Sequence, residues 1–216
     1  MKLIRAAIAL VLILTAVMTL VAYPVMPTVV ASHWNAAGEL NGTMPKFWGL
    51  TLIPLLMYGF CALFVVLPRI DPLRNNYQKF QDYYEGFILV FAAFFFLIQL
   101  QIILWGLGIH VSPNLTMPVM IGGLFVYISF LMEHAEPNWF VGIRTPWTMS
   151  SDSVWKKTHQ RAGTLFKLAG VVSMIGALAG IYASLFILVP VIAVALYTVV
   201  YSYVEFKREK TTGIAK

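Results

Sequence analysis

Apolar residues in this chain come in long runs rather than in alternation or in narrow helical stripes. Six runs stand out, at 4–22, 48–67, 86–108, 115–132, 164–184 and 185–204. A helix rises about 1.5 Å per residue, so about 20 apolar residues cross a hydrocarbon core of about 30 Å. Each run therefore predicts one transmembrane helix. The last two are nearly continuous, and a span of about forty residues is far too long for one crossing. A tight hairpin is expected near Tyr182–Phe186, with Pro190 in the first turn of the sixth helix, where a missing N–H costs least. The polar residues inside the runs, Gln99, Gln101, Ser129 and Ser173, are expected to hydrogen-bond between helices. Gly176 and Gly180, flanked by Ser173, Ala177 and Ser184, form a small-residue face for close packing, within the bundle in preference to between copies. The predicted fold is all-α, a polytopic membrane bundle of six transmembrane helices.

Composition sharpens this. Only 11% of the 216 residues are charged and the mean hydropathy is +0.80, against roughly a quarter charged in a soluble domain. The net charge of +6 does not point to nucleic acid, because the cations sit in the gaps between runs rather than on a basic stripe. Of the fifteen Lys and Arg residues, all but Lys46 fall before or at the very start of the first run, in the second and fourth loops, at the start of the fifth run or in the tail that ends at Lys216. That bias predicts cytoplasmic termini and a location in the cytoplasmic membrane. The first run follows Lys2 and Arg5 but is longer than a signal-peptide core and lacks a clear cleavage site, so it is expected to remain as a helix. Cys61 is the single cysteine, which excludes an intramolecular disulfide and a cysteine-based metal site. The centres of the runs carry no ionisable residue, which argues against a proton-coupled transporter or an intramembrane protease.

Two connecting segments are large enough to carry function. The inner one, 133–163, contains Asn138-Trp139-Phe140-Val141-Gly142-Ile143-Arg144-Thr145-Pro146-Trp147. Gly142 is free to take positive φ, and Thr145 is driven to extended backbone by Pro146. Arg144 suits a phosphate or carboxylate, and the tryptophans suit the headgroup level. Ser150 or Ser151 is a candidate helix cap, with Asp152 in the first turn, and Trp155 opens the helical pattern that leads into the fifth run. On the residues alone, an interfacial re-entry loop anchored by Trp and Arg is the simpler reading.

Continued through Thr148 and joined to Val154-Trp155-Lys156-Lys157-Thr158-His159, this stretch closely resembles the signature of the SdpI family. Pro68-Arg69-Ile70-Asp71-Pro72 also resembles that family. The outer segment, 23–47, holds Ser32-His33-Trp34-Asn35-Ala36-Ala37-Gly38-Glu39-Leu40-Asn41-Gly42. It is similar to a short His-Trp-Asn…Gly domain that often precedes the SdpI module, with Asn41 where an Asp is common. Gly38 and the Asn41-Gly42 pair are expected to set turns.

The resemblance implies two parts within one integrated membrane domain, a first helix pair at 1–67 and a four-helix module at 68–216. It implies a non-enzymatic membrane immunity protein that protects against a secreted, membrane-active peptide toxin met on the outer face. For some members it also implies a cytoplasmic transcriptional repressor held at the membrane. The candidate toxin- or ligand-binding residues are His33, Trp34, Asn35, Gly38 and Gly42 outside, and Asn138, Gly142, Arg144, Thr145, Pro146, Trp147 and Trp155 inside. Membrane lipids are the other expected partner. No cofactor is expected, and the absence of a close His-x-His or His-x₃-His pair argues against a metal. The rival reading is a membrane enzyme or transporter that holds a lipid headgroup or small molecule with Arg144 and the tryptophans, with His33 as acid or base. Neither a nucleophile motif nor a carboxylate–His pairing supports it.

Overall fold

The computed structural model describes residues 2–213; Lys216, counted above in the basic tail, lies outside the described residues. The elements are α1 Lys2–Ala22, β1 Val29–Trp34, β2 Leu40–Pro45, α2 Lys46–Ile70, α3 Gln81–Gly106, α4 Pro113–His134, α5 Pro146–Met149, α6 Asp152–Ile175 and α7 Ala183–Thr211. All but α5 and the two strands are long and apolar enough to cross a membrane, six helices among the described residues. Leu10, Leu168 and Leu196 remain more than half exposed on the outside of the bundle, as lipid-facing positions should. The helices thus match the fold read from the sequence, and the β1–β2 hairpin is an addition to it.

Both described chain ends and the 135–151 loop gather at one end of the bundle. Arg5 meets Glu85 there, and Lys157 meets Glu205 at 3.1 Å. The hairpin sits at the opposite end, where Asn114 Nδ2 donates to the Ala36 carbonyl at 2.9 Å. Helices α1 and α2 pack on α3, and α3 passes contacts on to α4, which runs along α6 and then α7.

Prolines inside the spans reveal how the bundle is tied together. A helical proline lacks the N–H that would bond the carbonyl four residues back, and in lipid a carbonyl so freed has no water to turn to. At Pro54 the freed carbonyl is that of Leu50, and it accepts from Gln99 Nε2 of α3 at 2.9 Å. The freed carbonyl below Pro68 belongs to Phe64, which accepts from the Tyr84 hydroxyl at 2.7 Å. At Pro190 it is that of Phe186, which accepts from Ser173 Oγ of α6 at 3.2 Å. In each case a proline in one helix creates an acceptor that a neighbouring helix fills. Gln99 also donates to Thr19 Oγ1 at 3.1 Å, so it joins α1, α2 and α3.

This coupling is measurable. Gln99→Leu should cost about 1–3 kcal/mol, because it leaves the Leu50 carbonyl unsatisfied. In a Pro54→Ala background the main chain regains a donor for that carbonyl, and the same change should cost about 1 kcal/mol less. Reversible unfolding in mixed micelles gives all four values, and strict additivity would show that the proline and the glutamine are not linked.

Four expectations need correction. The turn between the last two helices lies at 176–182, earlier than Tyr182–Phe186, because Gly180 adopts φ +57° there. Pro190 consequently falls in the interior of α7 and relies on Ser173. Gly176 and Gly180 are in that turn and do not form a helix seam; the nearest side chain to Gly176 is Phe186. The close seam instead runs between α4 and α6. A Cβ on Gly122 would lie 2.6 Å from the Gly170 carbonyl oxygen, and one on Gly170 would lie 2.6 Å from the Gly122 oxygen. Finally, Gln101 and Ser173 bond between helices as expected, but Ser129 Oγ donates to Val126 of its own helix at 2.7 Å.

Candidate functional site

The outer candidates lie on the hairpin. β1 and β2 pair antiparallel from Val29 opposite Pro45 to Trp34 opposite Leu40, with irregular register around His33. The connection at 35–39 is closed by Asn35: its Oδ1 accepts from the Glu39 N–H, and its Nδ2 donates to Glu39 Oε2, both at 3.0 Å. Gly38 takes φ +81° at the tip and makes the expected turn. Asn41-Gly42 does not. Gly42 stands in β2 beside His33, where a Cβ would come within 2.9 Å of His33 Cβ, so this glycine permits a close irregular pairing. Asn35 and Gly38 close the turn first, leaving Asn41 to accept from His33 Nδ1 at 2.6 Å.

Successive strand residues face opposite sides, and His33 and Trp34 accordingly part company. His33 is exposed. Trp34 turns toward the bundle and packs edge-on against Trp105 of α3 at 5.1 Å, and Trp105 in turn lies 4.6 Å from the His110 ring. Val30, Met26 and Leu50 form the buried cluster below. Gly49 of α2 is where Val30 presses closest, so the hairpin rests directly on helix backbone. Lys46 locks the entry by donating to the carbonyls of Tyr23 and Met26, each at 3.1 Å.

The inner candidates form a more tightly bonded unit. Asn138 is fully buried. Its Oδ1 accepts from the N–H groups of Phe140 (2.9 Å) and Val141 (2.6 Å), and its Nδ2 donates to the carbonyls of Glu136 and Val141, both at 2.9 Å. Gly142 follows with φ +112°, as expected, and a Cβ there would strike the His159 ring. His159 Nε2 accepts from the Ile143 N–H at 3.0 Å, so the ring proton resides on Nδ1 and is donated to the Trp155 carbonyl at 2.9 Å. Trp155 is buried, stacks on His159 at 3.9 Å and donates Nε1–H to Ala135 at 2.7 Å.

Thr145 is extended, as the following proline demands, and also caps α5. Its Oγ1 accepts from the Thr148 N–H, Thr148 Oγ1 accepts from the Thr145 N–H, and Thr145 Oγ1 bonds Ser202 of α7 at 3.0 Å. Ser151 caps α6, with Asp152 in its first turn. Pro146 and Arg144 are exposed, Trp147 packs on Tyr203 at 5.0 Å, and Arg144 bends back so that Nη1 donates to the Trp139 carbonyl. Thus Asn138, Gly142, Thr145 and Trp155 are spent on holding the loop, whereas Arg144, Pro146 and the exposed Trp139 face outward.

Three residues central to this unit are absent from the sequence-derived candidates. Asp71 is buried; its Oδ1 accepts from Leu73 N–H at 2.7 Å, and its Oδ2 accepts from Trp139 N–H at 2.9 Å. Tyr77 donates to Asn138 Oδ1 at 3.3 Å. Burial, reinforced by the nearby Asp71 charge, pushes its phenol well above the usual range, so it remains a donor. His159 is the third. The sequence signal was the Asp71-Pro72 pair, a turn-forming dipeptide whose side chain bonds the backbone two residues on. It lies in one family-like motif and holds the backbone of the other.

Fold and site together define a polytopic helical membrane protein with an ordered polar cap at each end of the bundle. Residues 134–202 match the model of the SdpI/YfhL protein family. Residues 10–58 match a domain of unknown function, DUF1648. The chain is 23% identical over 191 residues to "Immunity protein SdpI" of Bacillus subtilis (strain 168), covering 88% of this chain and 89% of that protein. No solved structure matches.

Proposed function

We propose that this protein is a non-enzymatic immunity protein of the cytoplasmic membrane that protects its cell from a secreted, membrane-active peptide toxin. The observation that carries this is the end-to-end similarity to Immunity protein SdpI, which extends over both the hairpin segment and the inner loop. The Lys/Arg bias supports termini and an inner loop in the cytoplasm, leaving the hairpin on the outer face, where a peptide arriving from outside meets the protein first. His33 is an exposed side chain of that hairpin. The outward-facing Arg144, Pro146 and Trp139 offer a separate cytoplasmic surface suited to a repressor.

Survival of sensitive cells exposed to a toxin against which the parent protein protects tests this reading. At matched membrane abundance, His33→Ala/Trp34→Ala should lower the tolerated toxin concentration roughly tenfold, as loss of a binding hot spot does. Arg144→Ala should leave it near the parent. If the double variant protects fully and Arg144→Ala does not, the outer-face reading is wrong and the activity resides in the inner loop.

A further inference from the structure

Two cavities at the Arg-rich end of the bundle share part of their lining. The first, about 440 Å³, is bounded by Arg5, Arg69, Arg74, Gln81, Tyr84 and Glu85 among others. The second, about 570 Å³, runs between α1 and α2 toward the middle of the span, along Leu12, Tyr58, Cys61 and Val66. They share Arg5, Ile8, Val65 and Ile88. A charged chamber therefore adjoins an apolar trough on the outside of the bundle.

The charges of the chamber are unevenly satisfied. Glu85 is 7% exposed, and its Oε1 accepts three donors: Arg5 Nε at 3.0 Å, Arg5 Nη2 at 2.5 Å and Gln81 Nε2 at 2.8 Å. Its Oε2 is buried without a donor among the described residues. Arg69 and Arg74 are exposed and have no ion pair among the described residues. With Arg5 and Glu85 offsetting each other, the Arg69 and Arg74 guanidiniums that line the same chamber are left for an anion.

We propose that this compound cavity binds one anionic phospholipid of the phosphatidylglycerol type. Its phosphate lies between Arg69 and Arg74, and an acyl chain lies in the trough. Guanidinium forks match phosphate oxygens in pairs, and basic pockets between spans are where anionic headgroups dock. The trough supplies what a free anion does not need, a contiguous apolar path from headgroup depth into the core. The site is independent of the immunity reading, and either stands if the other fails.

Native mass spectrometry of the purified full chain in detergent, titrated with dioleoylphosphatidylglycerol, -ethanolamine and -choline, tests it. Phosphatidylglycerol should bind roughly tenfold more tightly than phosphatidylcholine. Arg69→Gln/Arg74→Gln should weaken it by a similar roughly tenfold factor, the worth of a charge-assisted phosphate contact. Lys207→Gln/Lys210→Gln, with the same charge change at the same end, should bind as the parent does. An unchanged thermal midpoint in lipid-free detergent shows that the arginine variant is folded. Equal binding of phosphatidylcholine or tighter binding of phosphatidylethanolamine overturns the headgroup assignment. Glycerol phosphate binding as tightly as the lipid overturns the role of the trough. An arginine variant that binds as the parent does overturns the site.

Discussion

Gly170→Val should abolish the folded protein, whereas Gly123→Ala should leave it intact. Gly122 on α4 and Gly170 on α6 meet backbone to backbone, and the position of a Cβ on Gly170 is also 2.9 Å from the Val126 main-chain nitrogen. Backbone atoms cannot rotate away as a side chain can, so the helices must separate along the whole seam. Ordinary core overpacking costs about 1–3 kcal/mol. Here separation also forfeits the close contact that binds helices in lipid, where no hydrophobic force between them compensates. Gly123 is the internal control: the nearest atom to its added Cβ is the Met174 terminal methyl at 3.8 Å. The measurement is the monodisperse fraction by size-exclusion chromatography at matched expression, together with the thermal midpoint. A Gly170→Val protein as abundant and stable as the parent would mean that α4 and α6 do not cross at these glycines.

Asn138→Leu should open the inner loop while leaving the membrane helices in place. One amide side chain, itself fully buried, serves two N–H groups and two carbonyls of the loop. Leucine is close in size but offers neither donor nor acceptor, so four main-chain groups and the Tyr77 hydroxyl lose a partner together. Each unsatisfied buried group costs about 1–3 kcal/mol. The loop should avoid much of that total by opening to water. Amide hydrogen exchange across 135–149 should therefore rise by orders of magnitude, with the α4 and α6 spans little changed. Asn138→Asp, which keeps the acceptor half, should fall between. Arg144→Ala should leave exchange near the parent, since Arg144 is exposed and, among the described residues, donates to Trp139 alone. Unchanged exchange in Asn138→Leu would show that the loop is held by Asp71 and His159 without it.

These cases separate what local sequence carries from what it does not. Gly142, Thr145 and Ser151 behave in the structure as their types and neighbours imply, because positive φ, the residue before proline and a hydroxyl before a helix are decided within a few covalent bonds. Gly176 and Gly180 have the spacing of a packing face and instead form a turn, since spacing cannot say which glycines will meet another helix. In the same way His33 and Trp34, adjacent in the motif, are sent to opposite sides once the segment becomes a strand.

The sequence by itself determined that six helices are apolar and long enough to span the membrane, because length and hydropathy alone decide whether a segment prefers lipid. It also determined where the basic residues gather. Only the tertiary structure decided that Gln99, Tyr84 and Ser173 answer the carbonyls freed by Pro54, Pro68 and Pro190. It likewise decided that Asp71 holds Trp139 across 68 residues of chain. Such pairings depend on which helix faces bury one another, and a hydrogen-bond partner distant in the chain leaves no periodic trace in either segment.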